Sequence, residues 1–149
     1  PFQLADADQR LSSGASRIYR EYLLGHLRAA YKQKFARRPS PLAVDVDKLR
    51  TFYQFDDQVT APLHGFSGAD DYYQKSSCQQ YLRGIRKNTL ILHAIDDPFL
   101  YPASIPTETD LSANVVLELS EHGGHVGFMA GKLFPQRWLE SRILRFIES

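Results

Sequence analysis

The chain has 149 residues, 43% of them apolar and 23% charged, a balance that suits one folded domain and excludes a disordered chain. Its formal net charge is +1, so charge alone calls for neither nucleic acid nor an anionic membrane surface. A single cysteine, Cys78, excludes an internal disulfide and a cysteine-based zinc site, and no run of eighteen apolar residues exists to cross a bilayer.

In chain order, residues 8–35 predict a helix. Leu11, Ala15, Ile18, Tyr22 and Ala30, flanked by Tyr19, Leu23 and Leu27, recur at three- and four-residue steps, with Arg17, Arg20, Glu21 and Arg28 off that stripe. Gly14 and Gly25 each weaken it by about 1 kcal/mol relative to alanine, which marks sites of bending or close packing. The basic run Arg28, Lys32, Lys34, Arg37 and Arg38 reads as a solvated helix end whose cations complement the helix dipole. Pro39 and Pro41 break the pattern. Residues 45–52 predict a short helix with Val46, Leu49 and Phe52 inward, and a mixed loop opens at Phe55, Asp56 and Asp57 and runs through Pro62, His64 and Gly65. Residues 70–73 and 76–82 predict short helices, with Ser76 or Ser77 as an N-cap and Cys78 as a small buried hydrophobe among tyrosines.

The character changes at Asn88. The continuous apolar run at residues 89–93 predicts a strand buried on both faces of a parallel sheet. A loop with one helical turn is expected over residues 102–110, a second strand over 115–119, and a last helix from Pro135 with Trp138, Leu139, Ile143, Phe146 and Ile147 as its apolar face. Two strands make a poor sheet alone, so further strands are expected from a missing segment or another chain.

The chemistry gathers in this second part. Asp96 and Asp97 end the first strand, and open α/β sheets form their sites beyond the carboxyl ends of strands. His125 follows the glycine pair Gly123 and Gly124, which permits a sharp turn. A carboxylate after the first strand can orient such a histidine, and acid then histidine is the order of the last two members of a Ser…Asp…His triad. The serine elbow G-x-S-x-G is not found upstream. Ser67, in Gly65-Phe-Ser-Gly68, has its second glycine one place early and no apolar strand before it. His122 reads as a surface residue and His93 as a packed core histidine, while His26 and His64 have no visible partner. No metal-ligand spacing supports a site from Asp96, Asp97, His122 and His125, and no phosphate-cradling loop occurs; no cofactor is expected. The sequence begins at Pro1 and not at a methionine, and the expectation is the carboxy-terminal part of a longer protein.

Taken in order, Ser16 to Tyr19, Tyr22 to Leu24, Phe55 to Asp57, His64-Gly65, Asp71 to Tyr73, residues 89–99 and residues 121–128 resemble the YheT-like branch of the α/β-hydrolase superfamily, whose animal relatives are abhydrolase-domain esterases and lipases. The resemblance covers essentially the whole chain. It implies an α/β fold class: the carboxy-terminal part of a hydrolase, with a helical cap at residues 1–86 and a strand–loop–strand–helix portion of the core at 87–149, the core sheet incomplete. It implies His125 as the catalytic base and Asp97 as the relay acid, with Asp96 its neighbour and rival. The expected substrate is a small-molecule ester with an apolar acyl group, bound against cap aromatics. The alternative reading is a catalytically inactive fragment that acts as a binding or self-associating module, pairing exposed strand edges with itself or a partner. No nucleic-acid partner is expected, and the location expected from cysteine usage is cytoplasmic.

Overall fold

A computed structural model describes residues 1–14, 16–130 and 136–148. The chain divides into two compact units, Pro1–Cys78 and Gln79–Ser149. No helix among the described residues is long and apolar enough to cross a membrane.

The first unit is helical. One expected helix over residues 8–35 is instead two, α1 (Leu4–Leu11) and α2 (Ser16–Lys34), separated at Ser12–Gly14, where Gly14 takes φ +56°. That left-handed conformation suits glycine and ends α1, whereas Gly25 lies inside an unbroken α2. The inward face of α2 is also not the expected stripe. Ile18 and Tyr22 are exposed, while Arg20 and Leu24 are buried; Ala15 lies outside the described residues. Positions 20, 24, 28, 31 and 35 turn inward because both arginines bury their stems and bond with their heads. Arg20 donates to Glu21, and the Arg28 guanidinium donates to the Leu49 carbonyl, with Nε at 3.1 Å. Arg28 is therefore not part of a solvated end, whereas Lys32 is exposed and pairs with Asp47 at 2.6 Å.

The core of this unit is Leu24, Val46, Leu49, Phe55 and Val59. Val46 and Leu49 turn inward as expected, but on a single 3₁₀ turn (Val46–Lys48) capped by the Asp45 side chain. The stretch expected as a loop from Phe55 is helical. It runs through α3 (Phe52–Phe55), a π-helical turn (Asp56–Thr60) and α4 (Ala61–Leu63). The widened turn lets Asp56 accept from Thr60 Oγ1 at 2.7 Å and from the Tyr73 hydroxyl at 2.8 Å. Burial pushes the Asp56 carboxyl above its ordinary range, and burial beside that carboxylate pushes the Tyr73 phenol up. Two short helices follow, α5 (Ala69–Ser76) in this unit and α6 (Gln79–Leu82) in the next. The Ser77 hydroxyl donates to the Tyr73 carbonyl and accepts the Leu4 N–H.

The second unit starts before the strand character does. Residues 79–86 belong to it because Gln79 donates to Asp110, Arg83 to the Thr109 carbonyl, and Ser112 Oγ to the Ile85 carbonyl at 2.7 Å. Strands β1 (Thr89–Ala94) and β2 (Val115–Ser120) pair in parallel, with Thr89 opposite Val115 and Ala94 opposite Ser120. The connection carries two 3₁₀ turns, Pro102–Ser104 and Glu108–Asp110. A second, antiparallel pair not foreseen from sequence joins β3 (Met129–Ala130) to β4 (Gln136–Arg137) and leads into α7 (Trp138–Ile147). The expected helix start at Pro135 lies outside the described residues. Residues 89–92 of β1 are only half-buried, unlike a strand covered on both faces.

Helix α7 is tied to β2 by Arg142, whose guanidinium forks onto the Glu118 carboxylate, with Nε–Oε2 at 2.8 Å. The arginine holds the Glu118 carboxyl below the ordinary 4.5. A depressed folded-state pKa means that this stabilisation is present above 4.5 and is lost as pH falls through the lowered value. Arg142→Ala is therefore expected to lower Tm by about 1–3 °C at neutral pH, the size of a partly exposed ion pair. The gap between variant and parent should close in acid. A thermal-melt series against pH reads it, and a gap that widens in acid contradicts the assignment.

Candidate active site

The register of the parallel pair builds the site. Because Ala94 sits opposite Ser120, the segments following both strands leave the same end of the sheet side by side. The Ile95 N–H donates to the Ser120 carbonyl at 2.8 Å and carries the pairing one step further. Asp96 and Asp97 emerge from one strand and residues 121–125 from the other, at the carboxyl end where open sheets hold their ligands.

His125 Nδ1 lies 2.9 Å from Asp97 Oδ2. Asp97 is 6% exposed, and its Oδ1 accepts the Phe99 N–H at 2.8 Å. An ionised carboxylate only accepts, so Nδ1 carries the proton and the Nε2 lone pair of the neutral ring is left for chemistry. The ring is half-exposed, and the Phe99 ring stands edge-on to it at 4.8 Å. A buried acid behind a half-exposed histidine is the arrangement that fixes a tautomer and favours the imidazolium when it forms.

Asp96 does something different. Its Oδ1 accepts from the Gly123 N–H at 3.0 Å and the Gly124 N–H at 2.8 Å, and its Oδ2 lies 3.6 Å from His122 Nδ1. The turn is closed by Gly127 N–H and Phe128 N–H donating to the Gly123 carbonyl. Gly124 takes φ +56° and Phe128 φ +39°, both in the left-handed region. The structure thus separates the two neighbouring carboxylates: Asp97 meets the histidine, and Asp96 meets the backbone of the turn.

Beside His125 lies an apolar groove of about 470 Å³, lined by Leu90, Leu92, Val126 and Phe128 together with Leu139, Ile143 and Phe146 of α7. His93 is buried at the end of β1, as a packed core histidine should be. Burial lowers its pKa, opposed by the nearby Asp97 carboxylate and aided by His125. His122 is exposed, and so are His26, whose Nδ1 lies 2.9 Å from the Tyr22 carbonyl, and His64. Ser67 belongs to the first unit, in a turn preceded by helix and not by a strand, and its N–H is held by Asp71 at 3.0 Å. Among the described residues no three His, Cys, Asp or Glu side chains converge as metal ligands. Phe99 and the turn-holding role of Asp96 escaped sequence reasoning. The only cue for Asp96 was the coincidence of a spare carboxylate with a glycine pair.

The chain is 44% identical over 147 residues to the YheT esterase of Escherichia coli (strain K12), an alignment covering 96% of this chain and 43% of that protein. It is 29% identical over 136 residues to the human monoacylglycerol lipase ABHD2, covering 85% of this chain and 32% of the lipase. It is 36% identical over 98 residues to the bovine phospholipase ABHD3, covering 63% of this chain and 24% of that protein. The chain thus spans less than half the length of each of these relatives. No family model matches it, and no solved structure does. By these relatives the chain belongs to the YheT-like branch of the α/β-hydrolase superfamily.

Proposed function

We propose that this chain is the carboxy-terminal part of a serine hydrolase acting on carboxylic esters. In that reading the helical unit Pro1–Cys78 forms a cap, and the unit from Gln79 completes the core sheet begun by an amino-terminal segment. Asp97 and His125 belong to the triad, and the amino-terminal segment supplies the serine. The observation that carries the proposal is the His125–Asp97 hydrogen bond of 2.9 Å at the shared carboxyl end of β1 and β2. His125 takes the proton of the serine hydroxyl as it attacks the ester carbonyl, then returns it to the leaving alkoxide. Asp97 keeps the ring in the tautomer that presents Nε2 and stabilises the imidazolium. The apolar groove beside His125 supports an apolar acyl substrate, as do relatives named as a monoacylglycerol lipase and a phospholipase.

The test compares the full-length protein with this chain alone, using a chromogenic short-chain ester and a fluorophosphonate probe. The full-length protein is expected to turn over the ester and to gain one adduct by intact mass. The chain alone is expected to do neither. Ester turnover by the chain alone that His125→Ala removes would overturn the division of the triad between two segments.

A second reading, self-association of the isolated chain, is favoured by exposed Val116 and Leu119 on β2 and exposed Ile143, Leu144 and Ile147 on α7. Size-exclusion chromatography at micromolar concentration is expected to show a dimer or larger species, and a clean monomer counts against it.

A further inference from the structure

We infer that Asp96 is a positioning residue that holds the His125 turn in its working register through the backbone N–H groups of Gly123 and Gly124. The inference rests on the hydrolase reading above and adds a residue to it.

Two successive amides aimed at one point, with the second residue left-handed, form a concave anion site. Here that site is filled from within, because Asp96 Oδ1 accepts both N–H groups, at 3.0 and 2.8 Å. A charged acceptor makes such bonds stronger than neutral ones. Asp96 is anchored where the chain leaves β1, and the Ile95 N–H is already committed to Ser120 of β2. The latch therefore ties the histidine turn to the strand that also presents Asp97. Asp97 is buried and pinned by the Phe99 N–H, so its position is set by β1 and the turn after it. His125, half-exposed on a glycine-rich turn, has no comparable burial to fix it. Without Asp96 the two amides turn to water and the turn loses its bond to β1. The His125–Asp97 bond still links the turn to the segment after β1.

The two adjacent aspartates thus differ in what an asparagine can replace. An amide oxygen at 96 still accepts both backbone N–H groups, whereas an amide at 97 can offer its NH₂ to the ring and leave the wrong tautomer.

The experiment uses the full-length protein and four variants: Asp96→Ala, Asp96→Asn, Asp97→Asn and His125→Ala. Asp96→Ala is expected to lower kcat about 100-fold, the cost of a misplacement of about 1 Å, with KM changed less than about threefold. Asp96→Asn should recover kcat to within about tenfold of the parent, while Asp97→Asn falls about 10⁴-fold. A readout independent of turnover is the low-field proton resonance of the His125 Nδ1–H···Asp97 bond. It should be present in the parent and in Asp96→Asn, and broadened or lost in Asp96→Ala. The inference is overturned if Asp96→Ala keeps both kcat and that resonance. It is overturned equally if Asp96→Asn falls as far as Asp97→Asn, since Asp96 is then the relay acid itself. If the parent hydrolyses no ester, the hydrolase reading fails, and the resonance in the Asp96 variants still decides whether the latch positions His125.

Discussion

Replacing His125 with alanine in the full-length protein should lower kcat for ester hydrolysis by about six orders of magnitude, with KM little changed. The expectation follows from the role left to Nε2 when Nδ1–H is given to Asp97 at 2.9 Å. With no base, the serine hydroxyl keeps its proton, and only the binding groups and oxyanion donors remain to act. Asp97→Asn should cost about four orders of magnitude, for a different reason. The asparagine fills the same space beside Phe99, yet its NH₂ favours the tautomer with Nδ1 unprotonated, and Nε2 then carries the proton it is meant to accept. Because the two residues act as a unit, the double variant should be no slower than the worse single variant. Additive losses in the double variant, or an Asp97→Asn enzyme within tenfold of the parent, would separate the two residues and remove the basis for the triad. Neither substitution should lower stability much, since His125 is half-exposed and asparagine is nearly isosteric with aspartate.

How far the residues alone announced this arrangement can be judged element by element. The parallel pair was legible because an unbroken apolar run has few other uses at that length. The meeting of a carboxylate with His125 was legible because both follow strands, and strand ends in a parallel pair share one side. Asp96 and Asp97 could not be told apart, since one residue of difference after a strand is decided by the turn, here by Asp97 accepting from Phe99 while Asp96 reaches across to the glycines. The inward face of α2 was misread for a physical reason. Counting arginine as polar hides Arg20 and Arg28, whose stems pack while their heads bond Glu21 and the Leu49 carbonyl. The helical course of residues 55–63 was hidden by two aspartates that resemble loop residues until Thr60 and Tyr73 are seen to satisfy Asp56. The short β3–β4 pair carries too few residues to show any alternation.

The second large effect is expected at Gly123, and it separates two uses of glycine in one turn. A β-carbon built at Gly123 falls 2.9 Å from the Ala94 β-carbon and 2.9 Å from the Phe128 ring. Ala94 ends β1 and has no flexible side chain to withdraw, so the turn itself must move. Gly123→Ala is thus an overpacking change, expected to destabilise by about 1–3 kcal/mol. The displaced turn should pull the Gly123 and Gly124 amides from Asp96 and carry His125 from Asp97, lowering kcat about 100-fold in the full-length protein. Gly124 is the contrasting case. A β-carbon there meets nothing within 4 Å, so the only obstacle is its φ of +56°. Gly124→Ala should cost about 1–2 kcal/mol for left-handed backbone, and Gly124→Asn less, because asparagine visits that region readily. Thermal melts and turnover on the three variants decide the matter. A Gly123→Ala protein as active as Gly124→Asn would mean that the turn has room to spare, and that its grip on His125 is looser than the close approach to Ala94 implies.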